Sequence, residues 1–258
     1  MKGGESLKLL LRVAFLGTNY AGYQVQKNGN TIQNELNRAT ETLLGFPCDI
    51  VGCSRTDSGV HARDFCCTVT KKGEESLETN LPAERFPRAI CNILPEDIGV
   101  FSAEWVENGF HPRYDVKYKE YVYNIWNRAE RDPFLAGQVY QERILIDDDG
   151  FRRMQVAAEG YAGTHDFSAF MAAGSTVSTT VRTVHYARVE RKGDLITFSV
   201  AADGFLYNMV RIMAGTLIDV AHGRISPDAI PSILASKNRA NAGFTAPPQG
   251  LCLNKVVY

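Results

Sequence analysis

Three observations in the 258-residue chain predict an α+β fold. An apolar strand near the N-terminus is followed by an amphipathic helix, two more strand-like runs come next with no helix between them, and the second half mixes a hairpin with helices. Strand, helix, strand, strand departs from the strict alternation of parallel-sheet proteins. Two sheets, or one continuous sheet, backed by helices would follow.

Residues 7–16, LKLLLRVAFL, place Leu7, Leu9, Leu11, Val13 and Phe15 on one side of an extended chain. GTNYAGYQVQKNGN reads as a long glycine-rich loop. Asn30 then opens a helix in which Ile32, Leu36, Ala39 and Leu43 recur at helical spacing, Gln33 completes a capping box, and Gly45 ends it. DIVGC and DFCCTVT read as strands, KKGEESLETN as a surface loop, LPAERFPRAICNIL as a helix despite Pro87, and IGVFSAEWV as a strand. ENGFHP, at 107–112, is the expected junction between domains 1–107 and 108–258.

In the second half KEYVYNIW reads as a strand with Tyr121, Tyr123 and Ile125 on one face. FRRMQVAAEGYAG looks helical, and VRTVHYARVE and DLITFSVAAD alternate like a hairpin joined through RKGD. NMVRIMAGTLIDVAHG is the strongest helix, with Met209, Ile212, Met213, Leu217 and Val220 in one stripe closed by Gly223. Ser226 and Pro227 begin another helix, which Pro231 would disturb.

The chain is 45% apolar and 22% charged, as soluble globular proteins are. Its first residues do not make a signal peptide and no apolar run reaches the roughly 18 residues of a membrane span, so a cytoplasmic location is expected. Six cysteines without a CxxC pair suit no zinc site and read as small buried hydrophobes. With 28 Lys and Arg against 29 Asp and Glu, the chain is not a globally basic nucleic-acid binder, although a local basic face stays possible. No HExxH spacing, P-loop, GxGxxG after a strand, or GxSxG elbow is present, so no metal or nucleotide cofactor is implied.

The segment GCSRTDSGVHA, at 52–62, carries the densest chemistry. Arg55 and Asp57 lie two apart at an expected strand end, where residues two apart share a side and a guanidinium favours a neighbouring carboxylate's ionised form. Asp57 would then be a nucleophile or base. Gly59 lets the turn take positive φ or approach a ligand. The competing reading is a structural turn in which Asp57 only bonds its own backbone. Tyr121 could be a sheet-surface residue, a stacking platform or an acid–base phenol. Arg211, inside an apolar helix, either snorkels or reaches a carboxylate, for which Asp57 is the candidate.

GCSRTDSGVHA, FLGTNYAGYQVQ before it, FHPRYDVKYKEYVYNIWN in the middle, NMVRIMAGTLIDVAHG late and TAPPQGLCL near the end together resemble the bacterial tRNA pseudouridine synthase A family in order and spacing. The resemblance implies two ferredoxin-like, RRM-like halves forming one continuous mixed, mainly antiparallel sheet flanked by helices, with a central cleft. It implies a homodimer that binds the tRNA anticodon stem-loop and converts uridine to pseudouridine at positions 38, 39 and 40, without cofactor. On the same ground Asp57 is the expected nucleophile or base, Arg55 fills the space of an extruded base, Tyr121 stacks on it, Arg211 pairs with Asp57, and Gly59 and His61 join Arg55 and Tyr121 in binding substrate. Ser58 stands where many relatives carry alanine, and Tyr207 where some carry arginine. A non-catalytic RNA-binding module, a paralogous synthase with other RNA targets, and an Asp-nucleophile phosphoesterase are the alternatives; the last lacks its second carboxylate and metal ligands.

Overall fold

The apolar alternation at the start of the chain becomes a strand in the computed structural model, which describes residues 7–174 and 177–258. β1 (Leu7–Phe15) buries Leu9, Leu11, Val13 and Phe15, and Leu10 from the other side as well. α1 (Ile32–Leu44) begins one residue later than expected. Its cap is Thr31, whose side chain accepts the Asn34 N–H at 3.2 Å, a contact worth about 1 kcal/mol. Asn30 instead accepts from the Thr31 N–H and donates to Glu35. Gln33 closes no capping box: it accepts from the Val25 N–H and donates to the Ile50 carbonyl, stitching the long loop to the next strand. Gly45 ends the helix in the left-handed region, as expected.

β2 (Cys48–Gly52) and β3 (His61–Lys71) follow, β3 starting before the expected Asp64. Only Phe86–Cys91 of the expected helix over 81–94 is α-helical (α2), behind a 3-10 turn at Ala83–Arg85. Pro87 sits in its first turn, where a missing N–H costs no hydrogen bond. β4 is Ile98–Glu107.

Next come β5 (Tyr118–Trp126), β6 (Tyr140–Gln141), α3 (Asp148–Glu159), β7 (Gly163–Asp166), the hairpin of β8 (Val181–Lys192) and β9 (Leu195–Ala202), α4 (Met209–Ala221), α5 (Ile230–Ser236) and β10 (Leu251–Val257). The β8–β9 hairpin turns through Gly193 and Asp194, with Gly193 at φ +59 and Lys192 facing Leu195. α5 starts at Ile230, so Pro231 falls in the first turn, where proline fits, and Ser226–Ala229 forms a turn ahead of it. The short β6 and β7 and the terminal β10 are strands that the sequence pattern does not announce.

Two compact units result: Met1–Lys117 with Leu253–Tyr258, and Tyr118–Cys252. In the first, β1 lies antiparallel between β4 and β3, β2 pairs antiparallel with the outer part of β3, and β10 runs beside β3. Arg12 of β1 donates to both oxygens of Asp64 at 2.7 Å, and Asp64 also accepts the Val256 N–H, which ties the chain's end to β3. Leu9, Leu11, Phe65 and Val69 of the sheet and Ile32, Leu36, Phe86 and Ile90 of the helices form this unit's core.

In the second unit the antiparallel order is β5-β9-β8-β7, with β6 parallel to β5. α3 and α4 supply its helical layer. Asp147 caps α3 by accepting the Gly150 N–H at 2.7 Å. α4 is buried almost all round rather than along one stripe: only Arg211 and Asp219 in it escape full burial. The observed class is therefore α+β, with mainly antiparallel sheets and helices against them. Of the cysteines, Cys48, Cys53, Cys66, Cys67 and Cys252 are buried as expected, whereas Cys91 is exposed. Burial pushes the Cys66 thiol up to about 12. Among the described residues no helix is long and apolar enough to cross a membrane.

Candidate active site

Arg55 and Asp57 lie beyond the strand end rather than on it. β2 stops at Gly52, and residues 53–60 form an irregular loop leading into β3. The two side chains also differ in environment, Arg55 exposed and Asp57 half-buried. Gly59 takes φ +79, the left-handed conformation anticipated for it, and the turn closes where the Val60 N–H donates to the Asp57 carbonyl at 3.2 Å.

The glycine-rich loop after β1 is the scaffold of this turn. Tyr23 donates its N–H to the Thr56 carbonyl at 3.2 Å, and Ser58 Oγ donates to the Tyr20 carbonyl at 3.1 Å. The hydroxyl at position 58 thus has a structural partner, although Ser58 itself is exposed. Tyr20 is buried, with its phenol donating to Asp97 at 2.5 Å; burial first and that carboxylate second push its pKa far up. Gly17 and Gly22 are required by proximity: a Cβ on Gly17 would stand 2.0 Å from the Val60 carbonyl oxygen, and one on Gly22 2.6 Å from that of Thr56. His61, at the start of β3, is buried and accepts the Gly17 N–H on Nδ1 at 3.0 Å. The blocks FLGTNYAGYQVQ and GCSRTDSGVHA are therefore one packed assembly.

In the second unit the other blocks meet in the same way. Tyr121 and Tyr123 are both buried on β5, facing Val200 and Phe198 of β9. Tyr121 meets Phe205 edge-on at 5.0 Å between ring centroids. Tyr123 is held more tightly: its hydroxyl donates to the Pro247 carbonyl at 2.8 Å, Gly250 packs on its ring, and burial pushes its pKa far above the ordinary tyrosine value. Arg211 is half-buried, and its guanidinium is hydrogen-bonded. Its Nε donates to the Ala246 carbonyl at 2.8 Å and its Nη1 to Asn208 Oδ1 at 2.7 Å. The Ala246 N–H returns a bond to the Arg211 carbonyl, and Gly215 lies against the Phe244 carbonyl, so TAPPQGLCL is laced onto α4.

A family model described as tRNA pseudouridine synthase matches residues 157–258, which include Arg211 and its partners Asn208 and Ala246 but not Tyr121 or Tyr123. Curated relatives extend the likeness to nearly the whole chain. A protein named tRNA pseudouridine synthase A from Thermoanaerobacter sp. (strain X514) is 42% identical over 97% of this chain and 99% of its own length. The chain belongs to the tRNA pseudouridine synthase A family. Proteins of the same name from Acetivibrio thermocellus and Geotalea uraniireducens are 42% and 41% identical, covering 98% and 97% of this chain and 100% and 99% of theirs.

Within this family member, sequence reasoning overlooked Asn208. It precedes α4 at φ +60, a left-handed conformation that asparagine tolerates, and spends its side chain on Arg211 instead of on the helix end. An asparagine three residues before an arginine at a helix start was the available signal. Tyr207 is exposed, and its carbonyl accepts the Ala172 N–H.

Proposed function

We infer that the chain isomerises uridine to pseudouridine in tRNA. The observation that carries this is identity of about two residues in five with a protein named tRNA pseudouridine synthase A across 97% of this chain and 99% of that one. The reaction breaks the N1–C1′ glycosidic bond, turns the uracil, and joins C5 to C1′; the C5 proton leaves to solvent and N1 takes up a proton, so the product is an isomer of the substrate and atoms balance without oxidant or reductant.

The substrate we propose is the anticodon stem-loop, at positions 38, 39 and 40, bound by a homodimer in the cytoplasm. A base in a stem must leave the stack, at a cost of a few kcal/mol. Asp57 acts at the sugar, as nucleophile or as base, and Arg211 belongs to the catalytic set. Arg55, exposed on the same loop, occupies the space the base leaves, with Gly59 letting the backbone come close. Tyr121 stacks on the base. What supports these roles is local: a loop braced against two glycines holds Asp57, and an arginine fixed by Ala246 and Asn208 is oriented before substrate arrives.

Release of tritium from 5-tritiated uridine in unmodified tRNA tests the reading. Asp57→Ala should abolish release while keeping tRNA affinity. Release at the native rate would overturn the assignment.

A further inference from the structure

We infer that His61 is a positioning residue for the loop carrying Asp57, acting through the backbones of Gly17 and Val60; this rests on the role given to Asp57 above. His61 is 4% exposed, and its Nδ1 accepts the Gly17 N–H at 3.0 Å within the protein interior. A ring nitrogen that accepts an amide proton carries none itself, so the neutral ring bears its proton on Nε2.

Gly17 is seated directly on the residue that closes the turn. A Cβ there would lie 2.0 Å from the Val60 oxygen and 2.7 Å from its carbonyl carbon, so the two backbones touch with nothing between them. Val60 in turn donates its N–H to the Asp57 carbonyl at 3.2 Å. Imidazole, Gly17, Val60 and Asp57 thus form one mechanical series, in which the first residue of β3 reaches back to hold the loop after β1 against the turn that precedes it.

Removing the acceptor leaves a buried Gly17 N–H without its partner, and the amide regains one only by lifting off Val60. The turn then loses its backing and Asp57 its fixed place. Displacement of a reacting group by a fraction of an ångström lowers turnover and leaves remote binding contacts intact. The signature is a fall in kcat with unchanged KM and tRNA affinity.

Asparagine and glutamine separate the two ends of the ring, because the asparagine carbonyl falls near the position of Nδ1 and the glutamine carbonyl near that of Nε2. We expect His61→Leu to lower kcat about tenfold to a hundredfold, with KM and the Kd for unmodified tRNA within about twofold of native. His61→Asn should recover most of that loss and His61→Gln little of it. If His61→Leu does not fold, the ordering of the asparagine and glutamine variants decides. Equal kcat in all variants, glutamine matching or exceeding asparagine, or a loss confined to KM and Kd would each overturn the inference. Asp57→Asn is assayed alongside: an inactive Asp57→Asn with a native-like His61→Leu sinks only the role of His61, whereas an active Asp57→Asn sinks the catalytic reading beneath it.

Discussion

Replacing Gly22 by alanine tests whether the first loop sets the position of Asp57, and Gly45→Ala supplies the matched control. Both glycines lie in the left-handed region, at φ +95 and φ +80, so alanine incurs backbone strain of about 1–2 kcal/mol at either site. Their surroundings differ. Around Gly45 a Cβ meets nothing within 4 Å, while at Gly22 it stands 2.6 Å from the Thr56 oxygen, and 3.3 Å from the Asp57 carbon and the Ser58 nitrogen. Gly22 cannot simply retreat, because its carbonyl accepts the Ile32 N–H at the start of α1 and the next residue, Tyr23, is buried. Ordinary contact begins at 3.4 Å, so Thr56 must yield about 0.8 Å and carry Asp57 with it. Each kcal/mol lowers the melting temperature of a protein this size by roughly 2–4 °C. Gly45→Ala should therefore melt a few degrees low and keep native turnover. Gly22→Ala should melt lower still and lose about tenfold to a hundredfold in single-turnover tritium release. Equal turnover in the two variants would refute the claim that this loop positions Asp57.

Two further expectations concern titration. Asp166 accepts from Thr180 Oγ1 at 2.6 Å and from the Ser168 N–H at 3.0 Å, and pairs with Lys237 at 3.0 Å; the Thr180 bond first, and then the lysine, hold its carboxyl far below the ordinary aspartate range. Its folded value being depressed, the unfolded chain binds more protons in acid, so this contribution is complete above about pH 4 and fades as pH falls below it. Asp166→Asn should lower denaturation midpoints at neutral pH and converge on the native protein in acid, and a pH-independent difference would contradict the assignment. Tyr186 donates its hydroxyl to Glu120, and burial, then that carboxylate, push its phenol up to about 12. Between pH 10 and 12 the folded state retains a proton the unfolded state releases, so stability falls as pH rises there. Glu120→Gln should bring the tyrosinate absorbance step down towards 10, and an unmoved step would count against the pair.

Periodicity made legible the elements with a regular apolar spacing, whether or not their partners are near in sequence, as β1 between β3 and β4 shows. β1, α1, the β8–β9 hairpin and α4 follow from spacing of two or 3.6, and Gly45 and Gly193 from turn chemistry. β10 was not legible, because LCLNKVVY alternates poorly and its place beside β3 is secured by Asp64, 192 positions from Val256. The site divides along the same line. Asp57, Tyr121 and Arg211 stand out by residue type and motif, whereas much of what braces Asp57 and Arg211 is backbone: Thr56 under Tyr23, Val60 under Gly17, Ala246 against Arg211. Side-chain identity carries no trace of which carbonyl it will meet. Gly22 and Gly45 show the consequence most plainly, since both are glycines with positive φ, one readable as a helix end and the other meaningful only once Thr56 lies 2.6 Å from where its side chain would be. A residue chosen for the absence of a side chain is recognised by the neighbour that absence admits, and in this fold that neighbour is the backbone beside the proposed nucleophile.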